Sequence, residues 1–343
     1  MVDNEWDYHL PPELIAQEPL KDRAASRLLV YDRATRSTAH KRFREIVEYL
    51  NPSDCLVLNS SRVIAARLYG TKTETGGRVE VFILRHMGDS LFQVLLKPRR
   101  KVRVGGEIEF AQGLRGRLIK RAEEYGEDIF ELEPPVGIEL FEAIETAGTV
   151  PLPPYIKRGL DNPERYQTVY ADRPGSVAAP TAGLHFTNEL ISQLETKGVH
   201  IARLDLKISW GTFSKVTDAQ LASGSLHPEE AEIPGKCADI VRKTKQKGGR
   251  IIACGTTSVR ALEACAKLHG EVRAMSGSIN LFIRPGFEFK VVDAMITNFH
   301  LPGTSLLMLV AAFMEKDELF RAYEEAIREH YRFYSFGDAM LII

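Results

Sequence analysis

The sequence has few cysteines, few tryptophans and no long apolar segment. Its 343 residues include four cysteines and two tryptophans, and neither a Cys-x-x-Cys nor a His-Glu-x-x-His pattern occurs. We therefore expect no structural zinc and no other bound metal, in a protein that works in a reducing compartment. The longest apolar run, Leu306–Met314, is about half the ~18 residues that indicate a membrane span.

The sequence also lacks an excess of charge of either sign, since its formal net charge is −1. This balance argues against non-specific nucleic-acid binding by the whole surface, although it permits a local basic patch. The chain begins Met-Val-Asp-Asn-Glu, without a basic segment followed by an apolar one. We expect no signal peptide, no membrane association, a cytoplasmic location and a monomer.

One local basic run is present, at Lys97–Arg103. Its first cations are Lys97, Arg99, Arg100 and Lys101. A run of this kind is usually a solvated surface, and the acidic stretch Glu123–Glu142 balances it. The alternative is a strip that contacts nucleic-acid phosphates. Both interpretations stay open at this point.

Residues 69–144 differ in pattern from the rest of the chain. Short β-like runs follow one another, separated by glycine turns such as Gly76-Gly77 and Gly105-Gly106. This pattern predicts a small antiparallel β-barrel. The predicted strands are Val79–Leu84, Leu91–Leu96, Val102–Val104, Ile108–Phe110, Leu114–Ile119 and Ile129–Leu132.

Strand-like and helical runs alternate in residues 1–68 and 145–343. Alternation of this kind predicts an α/β domain with a mostly parallel, helix-covered sheet. The barrel would then be an insertion into one discontinuous domain. The pattern predicts strands at Cys55–Leu58, Ile251–Cys254 and Val291–Ile296, and helices at Phe43–Leu50 and Ser305–Glu315, with a last helix capped by Asp317.

Three polar segments fall at predicted strand-to-helix turns, namely Pro180–Thr187, Gly255–Arg260 and Thr297–Ser305. We call them the first, second and third loops. Open α/β sheets bind ligands at the carboxyl ends of their strands, so we expect the three loops to meet at one pocket. Each loop taken alone is equally explained as a capped structural turn.

The loops offer hydroxyls, amides, imidazoles and an arginine. The sequence has neither a Gly-x-Gly-x-x-Gly nor a Gly-x-Ser-x-Gly pattern, which lowers the odds of dinucleotide binding and of hydrolysis. Such a set of groups suits a polar, nucleoside-like ligand. The candidate residues are Thr181 and His185 in the first loop, Thr256, Thr257 and Arg260 in the second, and Asn298, Phe299 and His300 in the third.

Several segments resemble those of the S-adenosylmethionine:tRNA ribosyltransferase-isomerases, a family of queuosine biosynthesis. The resemblance runs from about Asp7 to Ile342. The segments that carry it are Leu14-Ile-Ala-Gln17, Pro151-Leu-Pro-Pro-Tyr-Ile-Lys157, Glu164-Arg-Tyr-Gln-Thr-Val-Tyr170, Pro180-Thr-Ala-Gly-Leu-His-Phe-Thr187, Gly255-Thr-Thr-Ser-Val-Arg260, Thr297-Asn-Phe-His-Leu-Pro302 and Tyr331-Arg-Phe-Tyr-Ser-Phe-Gly-Asp-Ala-Met-Leu-Ile342.

The resemblance implies an α/β domain with an inserted β-barrel and an activity on tRNA. The tRNA would carry 7-aminomethyl-7-deazaguanine at the wobble position. S-adenosylmethionine would be the co-substrate, and no metal would take part. The ribosyl group would move to the aminomethyl nitrogen and rearrange to an epoxycyclopentane. The products would be epoxyqueuosine in tRNA, adenine and methionine.

The resemblance also suggests roles for particular residues. A base must remove a proton from the C5′ carbon beside the sulfonium, and His185 and His300 are the candidates, with Thr181 beside them. Adenine would face Thr256, Thr257 and Asn298, and the methionine carboxylate would face Arg260. The extruded base would stack on Tyr166, Tyr170 or Phe299, and the tRNA backbone would contact Lys97, Arg99, Arg100 and Lys101.

Some positions depart from the usual pattern of the family. The run Arg23-Ala-Ala-Ser-Arg27 lacks the usual acid at its second position. Other polar positions differ in Leu206-Lys-Ile-Ser209, Gly224-Ser-Leu-His227, Gly277-Ser-Ile279 and His300-Leu-Pro-Gly-Thr-Ser305. Two alternatives therefore stay open: a paralogue that uses an adenosyl donor on another acceptor, and a non-catalytic protein that binds a nucleoside or tRNA.

Overall fold

Apolar runs at regular intervals along the chain become the strands of the structure, a computed structural model that describes residues 4–123, 128–208 and 215–343. Contacts divide the chain into two units. The first comprises residues 1–61, 154–172 and 180–343, and the second comprises residues 62–153 and 173–179.

The strands and helices have the following bounds. The strands are β1 (Arg27–Asp32), β2 (Ser37–Arg42), β3 (Cys55–Asn59), β4 (Ser61–Val63), β5 (Arg67–Lys72), β6 (Arg78–Gly88), β7 (Leu91–Lys97), β8 (Glu107–Phe110), β9 (Arg115–Lys120), β10 (Asp128–Glu133), β11 (Gly148–Thr149), β12 (Arg173–Ser176), β13 (His200–Leu206), β14 (Ser225–Ile233), β15 (Ile251–Cys254), β16 (Met275–Leu281), β17 (Ala294–Asn298) and β18 (Ala339–Ile342). The α-helices are α1 (Leu140–Ala147), α2 (Asn188–Lys197), α3 (Asp218–Ser223), α4 (Gly235–Gln246), α5 (Thr256–His269), α6 (Ser305–Met314) and α7 (Lys316–Arg328).

The first unit is built on a large sheet. Among the described residues its nine strands follow the order β16-β14-β13-β3-β15-β17-β18-β1-β2. The central strands β13, β3, β15 and β17 are mutually parallel. β18 is antiparallel to β17 and parallel to β1, and the outer pairs are antiparallel. The predicted fold class is confirmed, with the parallel part at the centre of the sheet.

Both faces of the central strands are covered, as the continuous apolar runs predict. Leu56, Ile252 and Ile296 pack on one face with Leu190 and Leu194 of α2. The side chains that alternate with these along the same strands, Val57, Ala253 and Met295, are buried as well, as are Leu29 of β1 and Met340 of β18. The core of the first unit therefore lies on both sides of this sheet.

The second unit contains the predicted barrel. In the part of the chain that the structure describes, β5, β6, β7, β10, β9 and β8 pair in that order, and β8 pairs back with β5. The closed antiparallel barrel is therefore confirmed, but one of its predicted strands is wrong. Val102–Val104 follows a 3₁₀ turn at Arg99–Lys101, and Val104 forms a single bridge with Leu118.

The remaining barrel strand is β5, which the apolar pattern did not reveal. A Cβ atom at Gly70 would lie 2.5 Å from Ile108 Cγ2 and 2.8 Å from the Glu109 carbonyl oxygen. Only a residue without a side chain allows β8 to approach β5 this closely. The glycine that weakens the strand pattern is thus what lets the barrel close.

Three other predicted elements differ in detail. Phe43–Glu48 is a 3₁₀ helix, and the strand expected at Val291–Ile296 lies at Ala294–Asn298. Asp317 lies within the first turn of α7, whose N-cap is Glu315. In the described chain no helix is long and apolar enough to cross a membrane. Among the described residues, no three or more His, Cys, Asp or Glu side chains lie close enough together to hold a metal ion.

Candidate active site

Polar residues gather at the edge of the large sheet where its parallel strands end. Asn59 ends β3, Cys254 ends β15 and Asn298 ends β17. β1 and β18 run the other way and begin at this edge, because Ala339 pairs with both Asn298 and Leu28. Ser26 and Asp338, which precede these two strands, therefore lie at the same edge.

The three loops are neighbours at this edge. Thr181 Oγ1 of the first loop donates to Asn298 Oδ1 of the third at 3.1 Å. The Gly255 N–H of the second loop donates to the Ile296 carbonyl at 2.8 Å. A Cβ atom at Gly255 would lie 3.7 Å from that of Ala182, in the first loop. Gly255 has φ +85°, a conformation that favours glycine.

Asn298 connects the groups of this edge through its buried side-chain amide. Its Nδ2 donates to His185 Nε2 at 3.2 Å and to the Tyr334 carbonyl at 3.2 Å. Its Oδ1 accepts the bond from Thr181. We call Thr181, His185, Asn298, Ser26 and Tyr334 the Asn298 network. One amide thereby fixes an imidazole, a hydroxyl and a strained stretch of backbone, since Tyr334 has φ +70°.

His185 is a neutral, buried member of this network. Because Asn298 donates to Nε2, the proton lies on Nδ1, which donates to Ser26 Oγ at 2.8 Å. Ser26 Oγ donates in turn to the Arg23 carbonyl. Burial, together with the positive charges of Arg332 and Arg23, lowers the pKa of His185 to about 3. Both ring nitrogens therefore have partners, and the ring also stacks on Phe43.

His300 has a different environment, in the third loop. Its Nε2 is hydrogen-bonded to Thr297 Oγ1 at 2.8 Å, and its N–H donates to Tyr323 Oη at 2.9 Å. Tyr8 donates its hydroxyl to the His300 carbonyl. Burial lowers the pKa of His300 to about 3. No hydrogen bond joins its Nδ1 to any residue that the structure describes, which leaves that nitrogen available to a ligand.

The second loop begins helix α5. Thr256 and Thr257 are its first residues and are buried. Thr257 Oγ1 accepts a long hydrogen bond of 3.4 Å from Asn59 Nδ2. The first N–H groups of a helix lack intrahelical partners, so this end of α5 presents donors at the sheet edge.

Arg260 lies one turn further along α5 and is also buried. Its Nη1 forms an ion pair with Glu229 of β14, and its Nε donates to the Leu281 carbonyl at 3.2 Å. The side chains of Arg260 and Glu229 are 5% and 2% exposed. A substrate carboxylate at Arg260 would have to compete with this buried pair.

The expected stacking residues lie in the interior. Tyr166 and Phe299 have no exposed surface, and Tyr170 is 5% exposed. Phe299 packs against Tyr323 and Phe333, at centroid distances of 5.2 and 4.8 Å. The structure does not bring these rings together around an open space. The nucleobase of the tRNA could therefore stack on them only after the rings move.

The basic run on the barrel is divided in two by its contacts. Arg99 donates from Nε and Nη2 to the two carboxylate oxygens of Asp128, at 2.8 and 2.9 Å. Burial acts to raise the pKa of Asp128, but the hydrogen bonds and charge of Arg99 lower it overall. Lys97, Arg100 and Lys101 are exposed. Arg99 is thus a structural member of the barrel, whereas the other three face solvent.

A cavity of about 750 Å³ adjoins the third loop. Its lining residues are Asp7, Tyr8, His9, Leu10, Ile15, Lys215, Leu301, Pro302, Thr304 and Tyr334. Leu301, Pro302 and Thr304 belong to the third loop that the sequence pattern indicated. The other lining residues were not among the predicted site residues, and neither were Ser26 and Asn59. Asn59 had a usable signal, a polar residue at the end of a fully apolar strand. Tyr8 and Lys215 had none, because their place depends on distant contacts.

The positions that depart from the family pattern have different surroundings. Ala24 is buried in a 3₁₀ turn, and Gly224 ends α3 with φ +65°. The Lys207 N–H donates to the Glu230 carbonyl at 2.9 Å. Ser209 lies outside the described residues.

The chain is similar to known proteins over nearly its whole length. A family model described as "Queuosine biosynthesis protein" matches residues 3–342. Proteins named S-adenosylmethionine:tRNA ribosyltransferase-isomerase from Staphylococcus aureus strains JH9 and Mu3 are 48% identical over 340 residues. The match covers 99% of this chain and 99% of each relative.

A solved structure agrees with these matches. The crystal structure of S-adenosylmethionine tRNA ribosyltransferase from Thermotoga maritima, at 2.00 Å resolution, is 39% identical in sequence. The comparison covers 99% of this chain and 100% of that one, with a TM-score of 0.58. The chain therefore belongs to the queuosine biosynthesis protein family, that of the S-adenosylmethionine:tRNA ribosyltransferase-isomerases.

Proposed function

We propose that this protein transfers the ribosyl group of S-adenosylmethionine to 7-aminomethyl-7-deazaguanine at the wobble position of tRNA. It isomerises that group to an epoxycyclopentane, which gives epoxyqueuosine in tRNA and releases adenine and methionine. The names of the relatives support the donor and the tRNA acceptor. The observation that carries the proposal is the meeting of Thr181, His185 and Asn298 at the edge of the parallel strands.

The reaction begins with loss of a proton from the carbon beside the sulfonium, and we assign this step to His300. A base needs a free nitrogen, and no described residue hydrogen-bonds to His300 Nδ1, whereas both nitrogens of His185 are engaged. Burial keeps the His300 ring neutral throughout the neutral range. The free nitrogen, rather than a pKa matched to the operating pH, carries this assignment.

His185 acts in this scheme as a positioning residue. Its neutral ring receives the Asn298 amide and so fixes which way that amide faces. The Asn298 carbonyl oxygen is then turned to Thr181. The adenosyl group lies against Thr181, Thr256 and Thr257. Their hydroxyl and N–H groups form hydrogen bonds with the leaving adenine.

We infer that the α/β domain, residues 1–68 and 145–343, carries the chemistry and that the barrel, residues 69–144, contributes to tRNA binding. S-adenosylmethionine is the co-substrate. No metal is needed, because the sulfonium itself supplies the leaving group. The protein acts as a monomer in the cytoplasm, where its tRNA substrate is found.

The direct test is to incubate the protein with S-adenosylmethionine and tRNA that carries the deazaguanine precursor. Mass spectrometry should detect epoxyqueuosine in the tRNA and free adenine in equal amounts. Adenine without the modified base would instead support a paralogue with another acceptor. Binding of either substrate without any product would support a non-catalytic protein.

The same assay tests the assigned base. We expect His300→Asn to lower kcat by roughly 100- to 10,000-fold, the usual contribution of general base catalysis. His185→Gln should retain more activity, because a Gln amide oxygen can still accept from Asn298. If both histidine variants keep full turnover and Thr181→Ala has none, neither histidine is the base.

The exposed part of the basic run predicts a salt effect on tRNA binding. Each phosphate contact contributes roughly 0.7–0.9 to the slope of log affinity against log salt. Arg100→Glu and Lys101→Glu should therefore each weaken binding and flatten that slope, as measured by filter binding across a salt series.

The control for this experiment is Lys236→Glu, an equal charge reversal at an exposed position of α4. It should leave the slope unchanged. Arg99 is unsuitable, because its substitution breaks the ion pair with Asp128 and destabilises the barrel. If Arg100→Glu and Lys101→Glu leave the slope unchanged, the basic run is a solvated surface that does not contact tRNA.

A further inference from the structure

The cavity beside the third loop has the size of a small-molecule site. Its volume of about 750 Å³ falls within the roughly 300–1,000 Å³ of typical ligand pockets. We call it the third-loop cavity. The residues used below are Asp7, Tyr8, Lys215 and Tyr334, all of which line it. The residue roles discussed above leave it without a ligand.

The third-loop cavity presents one charge of each sign. Asp7 and Lys215 are both exposed, and neither forms an ion pair with any other described residue. Among the described residues, the one hydrogen-bond donor to Asp7 Oδ1 is the Tyr8 N–H, at 3.1 Å. A carboxylate and an ammonium that line one cavity complement a zwitterion, because each ligand charge meets its opposite.

The side chain of Lys215 lies beside Gly303 of the third loop. Lys215 forms an isolated bridge with Thr304, and a Cβ atom at Gly303 would lie 3.7–3.9 Å from the Lys215 side-chain carbons. The lysine stem thus passes along Gly303 with room for a methyl group between them. This packing directs the stem along the third loop.

Two tyrosines supply the aromatic part of the lining. Tyr8 packs edge-on against Tyr323 at a centroid distance of 5.3 Å and donates its hydroxyl to the His300 carbonyl. The Tyr334 carbonyl accepts from Asn298, and its N–H donates to the Phe299 carbonyl at 3.2 Å. Burial raises the pKa of both phenols, so neither ring carries charge.

Neutral aromatic rings attract a ligand cation that has lost part of its water. The hydroxyl of Tyr8 and the main chain of Tyr334 are hydrogen-bonded to the third loop, which also carries His300. A cation bound between them therefore lies next to the loop that carries the residue to which we assign the base. The lining thus matches a molecule that has an α-amino acid end and an adjacent positive centre.

We propose that the third-loop cavity binds the methionyl end of S-adenosylmethionine, with Lys215 on its carboxylate, Asp7 on its α-ammonium group and the rings of Tyr8 and Tyr334 beside its sulfonium. This proposal rests on the proposed function for the choice of ligand. It gives the carboxylate a cation that is exposed and forms no ion pair with any residue in the described part of the chain, in contrast to Arg260.

The test combines a truncated donor with a truncated side chain. Decarboxylated S-adenosylmethionine lacks only the carboxylate that Lys215 would bind. In equilibrium dialysis with radiolabelled donor, with and without tRNA, we expect Lys215→Met to weaken S-adenosylmethionine binding roughly 10- to 100-fold, the effect of one charged hydrogen-bonded pair. The decarboxylated donor should bind wild type about as weakly, and Lys215→Met should weaken it no further.

Matched variants separate this contact from general effects. Lys215→Arg keeps the charge and should restore most of the affinity. Lys236→Met removes an exposed lysine from α4 and should change nothing. Asp7→Asn should weaken both donors equally, because both retain the α-ammonium group.

Several outcomes would overturn the proposal. These are unchanged affinity in Lys215→Met, an equal loss for both donors in that variant, and no donor binding by wild type under either condition. Product formation by wild type with an unaltered donor affinity in Lys215→Met would reject the subsite and leave the proposed function standing. If donor binding depends on Lys215 but wild type forms no epoxyqueuosine in the tRNA, the proposed function would be rejected and the subsite would stand.

Discussion

Replacement of Asn298 by alanine is expected to lower kcat roughly 100- to 1,000-fold, the usual cost of removing one positioned donor from an active site. The variant loses the bonds from its amide to His185 and Tyr334 and the bond from Thr181. His185 then has no partner at Nε2, and the left-handed backbone of Tyr334 loses a restraint. Steady-state kinetics with both substrates measures the effect.

Replacement of Asn298 by aspartate separates positioning from general disruption. A carboxylate can still accept from Thr181, but it can donate neither to His185 nor to the Tyr334 carbonyl. It favours the protonated imidazole, so the pKa of His185 should rise from about 3. An NMR titration of the His185 ring measures this change, and an unaltered pKa would contradict the role of the network.

The sign of the accompanying pH effect follows from linkage. Wild-type His185 has a folded pKa below its unfolded value of 6.5. Its contribution to stability is therefore complete above pH ~6.5 and is lost as the pH falls toward ~3, with a loss of about 2 kcal/mol by pH ~5. In Asn298→Asp the higher folded pKa should reduce this acid loss. Urea unfolding at several pH values measures the free energy.

The second large effect concerns the buried pair of Arg260 and Glu229. Removal of one partner leaves an uncompensated charge in the interior, which typically destabilises a protein by about 3–5 kcal/mol. We expect Arg260→Met and Glu229→Gln each to lower the free energy of unfolding by an amount of this order. Arg260→Met with Glu229→Leu should recover much of the loss, because no buried charge remains.

Two observations decide between this structural role and a substrate role for Arg260. The exposed pair of Arg158 and Glu18, with side chains 73% and 60% exposed, serves as the control. Glu18→Gln should change the free energy of unfolding by less than about 1 kcal/mol. If Arg260→Met is as stable as wild type and has a raised KM for S-adenosylmethionine, Arg260 binds the methionine carboxylate, as the sequence indicated.

The strands at the centre of the large sheet could be predicted because their buried residues form continuous apolar runs in the sequence. Cys55–Asn59 and Ile251–Cys254 are short apolar runs, and in a covered parallel sheet such runs are strands whatever surrounds them. The positions of the three loops follow directly, since a loop must come where a strand ends. The edge of the sheet then collects them because the strands are parallel.

The barrel shows where this local information fails. β5 contains Gly70, and its sequence gives a weak strand signal. It becomes a strand because β6 and β8 pair with its two sides, an arrangement that depends on contacts between distant segments. Val102–Val104 has the stronger β pattern, yet only Val104 finds a partner for pairing.

The sequence by itself determined the fold class and the three loops that meet at the sheet edge, because these depend on local patterns of apolar and polar residues. It determined the family through the resemblance of its motifs. Only the tertiary structure decided which of the polar groups are free. Arg260 and Arg99 are held by carboxylates from β14 and β10, and His185 is held by Asn298 and Ser26. Lys215 and Asp7, more than 200 positions apart in the printed sequence, line one cavity. The availability of a charged group depends on which opposite charge the fold brings to it, and no local pattern contains that information.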